Sequence, residues 1–189
     1  MPVLIVGLVL FLATHSLRMA APRVRARIIA QSGLRAWLLP YTLLSIIGFV
    51  LIVWGYGLAR LDPVILYAPP LSLRHLALLL LLPVFPLLIA AYAPGRIKAA
   101  VGHPMLVATI LWGLAHLLAN GTLADLLLFG GFAAWAAIDW ASAVRRPDMA
   151  QPTTGRARVN DAIAIGGGLI AYGLFIGWLH QWLIGVPPL

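Results

Sequence analysis

Six long apolar runs, separated by short connections that carry most of the charge, constrain this chain more than any single motif. They cover residues 2–19, 38–59, 72–92, 103–119, 122–143 and 161–184. Each is about twenty residues long, enough to cross a hydrocarbon core of about 30 Å as a helix. Helix is the only sensible conformation, because a bilayer offers backbone groups no water to bond. Strand-like alternation of apolar and polar residues is absent, which argues against a barrel. Composition agrees: 62% of the 189 residues are hydrophobic and 10% are charged, with a mean hydropathy of +1.00. A water-facing surface normally needs about 25% charged residues. The expected fold is therefore all-α, a polytopic bundle of about six transmembrane helices in a single domain over residues 1–189, with the lipid bilayer as its solvent.

The charge pattern sets the expected orientation. The net charge is +8, yet the basic residues lie in connections between apolar runs, which points to a membrane surface and not to nucleic acid. The first connection carries Arg23, Arg25, Arg27 and Arg35, with Arg18 at its edge. The third carries Arg96 and Lys98, and the fifth carries Arg145, Arg146, Arg156 and Arg158. The second has Arg60 and Arg74 only at its margins, and the fourth has no basic residue. Connections one, three and five are thus expected in the cytoplasm and both termini in the periplasm of a bacterial inner membrane. No positive residue precedes the first run, so it is expected to remain as a span and not to act as a secretory signal. The chain has no cysteine. That excludes disulfides, thiolate chemistry, iron–sulfur clusters and cysteine-attached haem.

Local signals sharpen the helix limits. Ser72, after Pro69 and Pro70, is expected to cap the third span. Thr122 and Asp125 have capping-box spacing at the start of the fifth, and Asn160 or Asp161 is expected to cap the sixth. Pro83 and Pro86 should bend the third span. Gly173 and Gly177, with residues 166–168 upstream, read as a close-packing helix face. Trp54, Trp135, Trp140, Trp178 and Trp182 read as belt or lipid-facing aromatics. Asp139 reads as the partner of Arg145 or Arg146, or as a proton-relay acid.

Histidine carries what chemistry this sequence has. An imidazole within a bilayer is costly and needs a polar partner, a metal or a haem iron. By depth, His15 and His103 belong near the cytoplasmic side, and His75, His116 and His180 near the other. His103 and His116 are 13 residues apart on one helix, about 20 Å by helical rise, so they cannot share one iron. Depth pairs His15 with His103, or His75 with His116, with His180 able to replace a member of the second pair. Such a pair could ligate a b-type haem between leucine-rich walls, with Arg74 on one side, or Arg18, Arg96 or Lys98 on the other, meeting the propionates. The bland alternative is a ring bonded to a backbone carbonyl or resting in the interface, which suits His180 beside Gln181 and Trp182. No phosphate loop, nucleophile–His–Asp set or two-carboxylate site is present.

Several segments resemble one family. They are THSLR at 14–18, GFVLIVWGYGLAR at 48–60, RHLALLLLLP at 74–83, GHPM at 102–105 and LWGLAHLLANGTLADLLLFG at 111–130. These are similar to the NnrU family of bacterial membrane proteins, with the best match over residues 1–146. The resemblance implies an association with denitrification and the nitric oxide response, where such proteins accompany nitrite and nitric oxide reductases. The family also resembles plant and cyanobacterial zeta-carotene isomerase, an integral membrane enzyme that uses haem b to isomerise a central cis double bond. Carried over by motif, its haem histidines would be His116 and His15, and GHPM would place His103 in a matching histidine–proline motif. The order of candidates is then His116, His15, His103 and His75, with His116 and His15 as the metal ligands. This transfer conflicts with the depth pairing, since His15 and His116 start from opposite halves of the membrane, and the pairing stays open.

Three functions follow as expectations. The first is an inner-membrane protein of the nitric oxide response holding haem b through histidines. The second is a haem-dependent cis–trans isomerase of a hydrophobic polyene. The third is a non-catalytic assembly factor for a respiratory reductase. The histidine–proline motif also resembles isoprenylcysteine-type methyltransferases. Those enzymes continue after their last helix with an acidic pair and an arginine-rich tail; here that region reads DWASAVRRPDMA, residues 139–150, without adjacent acids, which puts the methyl-donor site in doubt.

Overall fold

The computed structural model describes residues 1–145 and 155–188. All the extended secondary structure there is helical, apart from one isolated bridge between Ile65 and Thr122. Five helical stretches are long and apolar enough to cross a membrane: Pro2–Ala20, Pro22–Ala59, Leu71–Tyr92, Leu123–Ala143 and Ala157–Ile184. Pro104–Ala119 is a shorter apolar helix among them. The polytopic all-α expectation therefore holds.

The first span is α1 (Pro2–Ala20) and the second lies in α2 (Pro22–Ala59). Helix begins well before the expected Leu38, because the arginine-bearing stretch after Pro22 is itself helical. It is broken from the span by Gly33, whose φ of 84° and ψ of 167° end one helix and start another. That backbone state is open to glycine at little cost.

The third span divides at its prolines into α3 (Leu71–Leu81) and α4 (Val84–Tyr92). Ser72 does not cap it. Pro70 holds the N-cap position with extended backbone, and Ser72 already lies in the first turn. At the break, Pro83 has no N–H to give the Leu79 carbonyl. The Leu82 N–H tightens to take that carbonyl at 3.3 Å, which leaves Leu78 without its usual donor. The Tyr172 hydroxyl fills the place, donating to the Leu78 carbonyl at 2.6 Å.

A short α5 (Arg96–Val101) leads to α6 (Pro104–Ala119). The fifth span starts as α7 (Leu123–Asp125), widens into a π-helical turn at Leu126–Gly130, and continues as α8 (Gly131–Ala143). The Thr122–Asp125 capping box forms as expected. The sixth span is α9 (Ala157–Leu174), a second π turn at Phe175–Leu179, and α10 (His180–Ile184). Its N-cap is Arg156, not Asn160 or Asp161. Those two side chains reach across to the third connection instead. Asp161 accepts from the N–H groups of Arg96 and Ile97, each at 3.2 Å, and Asn160 donates to the Pro94 carbonyl at 2.7 Å. Asp161 thus caps a neighbouring helix.

The spans pack as a row. α2 lies on α1, α1 on α8, α8 on α6, α6 on α3 and α4, and α4 on α9. Bilayer packing rewards close backbone approach, and glycine supplies it at three crossings. A Cβ on Gly55 would stand 2.3 Å from the Leu4 nitrogen, and one on Gly7 would stand 2.6 Å from the Ile52 nitrogen. A Cβ on Gly168 would meet the Pro86 nitrogen at 2.4 Å, and one on Gly113 would meet the Phe129 carbonyl oxygen at 2.6 Å. Gly173 and Gly177, expected to pack closely, have open space around them. The close face of α9 is therefore the Gly168 face, one that a run of adjacent glycines does not single out.

One end of the row gathers the second and fourth connections and the last residues. Leu66 and Tyr67 donate to the Gly121 carbonyl at 2.8 and 3.1 Å, and Leu123 donates to Val64 at 2.8 Å. At the same end, Arg60 Nη1 donates to the Ile184 carbonyl at 2.9 Å. The opposite end holds the third connection, clasped by Asn160 and Asp161. Asp139 is half-buried on α8, and Arg146, one of its two expected partners, lies outside the described residues.

Candidate functional site

The concave side of the row encloses a cavity of about 600 Å³. Its wall is mostly leucine, alanine and aromatic side chains from α3, α4, α6 and the sixth span, with Phe11 from α1, Phe49 from α2 and Phe132 from α8. That size is usual for a cofactor or ligand site, as is an apolar wall broken by a few polar groups. The nitrogen-bearing side chains here are Arg74, Trp112, His116, Asn120 and His180.

His116 sits in the last turn of α6. Its Nδ1–H donates to the Trp112 carbonyl at 2.8 Å. Its ring stacks on Phe129, with centroids 4.4 Å apart and planes 23° from parallel, and Trp112 lies against it at 5.1 Å. Phe129 belongs to the π turn, where one extra residue per turn re-aims the side chains that follow. Gly113 allows that turn to nest against α6. The His116 carbonyl is also engaged, accepting the Asn120 side-chain amide at 2.9 Å. Tyr67 then clamps the end of α6, its single hydroxyl proton shared between the Asn120 carbonyl, at 2.7 Å, and the Leu117 carbonyl. Buried beneath is Asp125, 5% exposed. It accepts from the Tyr56 hydroxyl and the Thr122 hydroxyl, each at 2.6 Å. Tyr56 in turn meets Phe129 edge-on at 6.1 Å. A local cap, a tyrosine from α2 and a π turn therefore converge on one imidazole.

His180 starts α10 and lines the same cavity. Its Nδ1–H donates to the Val186 carbonyl at 2.6 Å, and Phe175 meets the ring edge-on at 5.7 Å. In both histidines Nδ1 carries the proton, because a carbonyl can only accept. The neutral ring then keeps its lone pair on Nε2, the tautomer that suits a metal ligand.

The other three histidines stand elsewhere. His15 donates from Nδ1 to the Phe11 carbonyl at 2.7 Å and stacks on the Phe11 ring at 4.1 Å. Tyr41 and Trp135 complete its surroundings at 5.4 and 6.1 Å. It does not line the cavity. Between it and His116 run Phe11, Phe132 and Trp112, with successive centroids 5.6 and 5.9 Å apart. A chain of three aromatic rings thus links the two histidines that the family motifs single out. His103 occupies the N-cap position of α6 away from the cavity wall. His75 is exposed on α3, although its neighbour Arg74 lines the cavity. Neither depth pairing, His15 with His103 or His75 with His116, meets in the cavity. The histidines that share it are His116 and His180. No group of three or more His, Cys, Asp or Glu forms a metal cluster among the described residues.

Trp135 also departs from expectation. Its indole N–H donates to the Ser16 hydroxyl at 3.1 Å, which ties α8 to α1 where a lipid-facing ring was expected. Trp54, Trp140, Trp178 and Trp182 are exposed on the outside of the row.

No curated protein and no solved structure matches the chain. The family model described as NnrU protein matches residues 3–188, well past Arg146 and through the sixth span. With nearly its whole length matched, this chain belongs to the NnrU family.

Proposed function

We propose that this protein holds haem b in the cavity through His116 and His180 and serves the denitrification and nitric oxide response associated with its family. The observation that carries the reading is the pair of imidazoles on one apolar cavity, each with Nδ1–H bonded to a backbone carbonyl. The donor set fits a bis-imidazole group. Two neutral nitrogens are pre-oriented, the wall is apolar, and Arg74 offers a cation for a carboxylate. Bound there, the haem iron would supply a one-electron couple and, on release of one imidazole, a site for a diatomic gas. The chain's own residues do the rest. Trp112 and Val186 fix the tautomers, Phe129 holds the His116 ring by stacking, and leucine and phenylalanine walls exclude water. By the distribution of basic residues, the protein lies in the bacterial inner membrane with both termini periplasmic.

Absorption spectra of the oxidised and reduced protein, purified after expression with ample haem, test this reading. A Soret band is expected, lost or shifted in both His116→Ala and His180→Ala and unchanged in His75→Ala. An absent band removes the cofactor. A band that persists in His116→Ala removes the first ligand, and one altered by His15→Ala but not His180→Ala restores the motif-based pair.

A second reading, a haem-dependent isomerase of a conjugated polyene, is favoured by the extent of the apolar wall. Conversion of a cis polyene by the reduced, purified protein would select it. Haem binding without conversion would leave the gas-responsive or reductase-assembly role.

A further inference from the structure

We propose that residues 185–188 are a lid over this cavity, hinged at Gly185, latched by His180 and anchored at its base by Arg60. The proposal rests on the cavity being a binding site, but not on haem being its occupant.

Four observations converge. The helix of the sixth span stops at Gly185, whose φ of 78° and ψ of 10° are left-handed and turn the chain back. Val186, Pro187 and Pro188 then lie along the cavity wall. The Val186 carbonyl takes the Nδ1–H of His180, six residues earlier, at 2.6 Å. The Ile184 carbonyl takes Arg60 Nη1 at 2.9 Å, and Arg60 closes α2, at the other end of the row from α9.

The chemistry of the segment suits a cover. Proline has no N–H, so residues 187 and 188 can face an apolar space without stranding a donor. Proline also stiffens the segment, so it can swing from its glycine hinge as one piece. Gly185 has nothing within 4 Å of its would-be Cβ, so that hinge is unobstructed. The two bonds hold backbone carbonyls on either side of the hinge: Arg60 fixes Ile184 on the helix side, and opening breaks only the His180 bond to Val186.

The His180 latch does a second job. The bond that holds the lid also holds the His180 proton on Nδ1, which leaves Nε2 as the basic nitrogen. Lid closure and His180 readiness are one event. With the lid away, the ring is free to turn and to exchange tautomers. His180 is thus a positioning residue for the lid, and the lid a positioning element for His180. The ligand class that such an entrance suits is an apolar, planar or rod-like molecule, admitted at the end of the row where the second and fourth connections meet.

Because the natural chain has no cysteine, Pro188→Cys introduces a sole thiol. In nanodiscs, the rate of its reaction with a charged maleimide should rise about five- to tenfold when His180→Phe is added, the effect of losing one hydrogen bond, and should change little when Arg60→Gln is added. Equal rates with and without His180→Phe would overturn the lid. Since Pro188→Cys could loosen the segment by itself, a second measurement uses no cysteine. Uptake of Nile red by the purified full chain is compared with uptake by a chain ending at Ile184. Uptake several-fold faster after truncation is expected. Equal uptake, or no uptake by either form, would count against the lid. Neither experiment needs haem. Protein without a Soret band that passes both keeps the lid and loses the cofactor, and the reverse pattern does the opposite.

Discussion

At the scale of the residue, serine and threonine hydroxyls within the spans are answered locally, whereas tyrosine hydroxyls reach across the fold. Thr14, Ser16 and Ser45 each return a hydrogen bond to the carbonyl four residues earlier, at 2.7 Å. Asp125 is different, because its carboxylate needs donors and one comes from Tyr56, 69 residues away. Tyr56→Phe removes that donor and leaves the acid under-bonded. The expected cost is about 1–3 kcal/mol, seen as a lower Tm in detergent, with a smaller loss for Tyr172→Phe if water reaches the Leu78 carbonyl. These cases show what the sequence makes legible. The Thr122–Asp125 box lies within one turn and is readable by spacing alone. His116 is readable from its motif and its depth. The role of His180 is not, because its acceptor Val186 is reached only after Gly185 takes a left-handed turn. Nor does spacing reveal that a chain of aromatic rings links His15 to His116.

At the scale of the element, glycine position separates contact from decoration. Gly55 and Gly173 both lie in apolar helices, and only one touches a neighbour. Gly55→Leu should separate α1 from α2, because even its Cβ would stand 2.3 Å from the Leu4 nitrogen. Gly173→Leu, with nothing within 4 Å, should leave thermal stability unchanged or slightly raised by higher helix propensity. Equal losses in the two variants, measured by thermal unfolding in one detergent, would refute this account of the packing. Helix existence was legible because the apolar runs are long. Helix ends were less so. Asp161 has the chemistry of a cap and does cap a helix, but a different one, because a side chain bonds what lies near it in space. The kink was legible from Pro83, whereas its repair by Tyr172 depends on which helix packs alongside.

At the scale of the whole molecule, the two ends of the row are chemically distinct. One gathers Arg96, Lys98 and the start of α9; the other gathers Arg60, the Ile65–Thr122 bridge and the C-terminal segment. The orientation drawn from the arginines then makes a direct prediction. A reporter active only in the periplasm should work when fused after the sixth span and fail when fused in the third connection. The opposite result would invert the protein in its membrane. The alternation of basic connections was legible in the sequence, while the order of neighbours was not, since nothing in the runs says which one each will touch.

That order has a consequence for how the protein is made. Along the row the spans stand in the sequence two, one, five, four, three, six. The ribosome delivers the opening hairpin long before span five, its neighbour on the far side, has been synthesised. Residues 2–59 must therefore wait in the bilayer as a pair, and the interlocked backbones at Gly7 and Gly55 let them do so. This order predicts a late docking of the opening hairpin onto the later spans, and a defect at that step would strand inserted but unjoined helices.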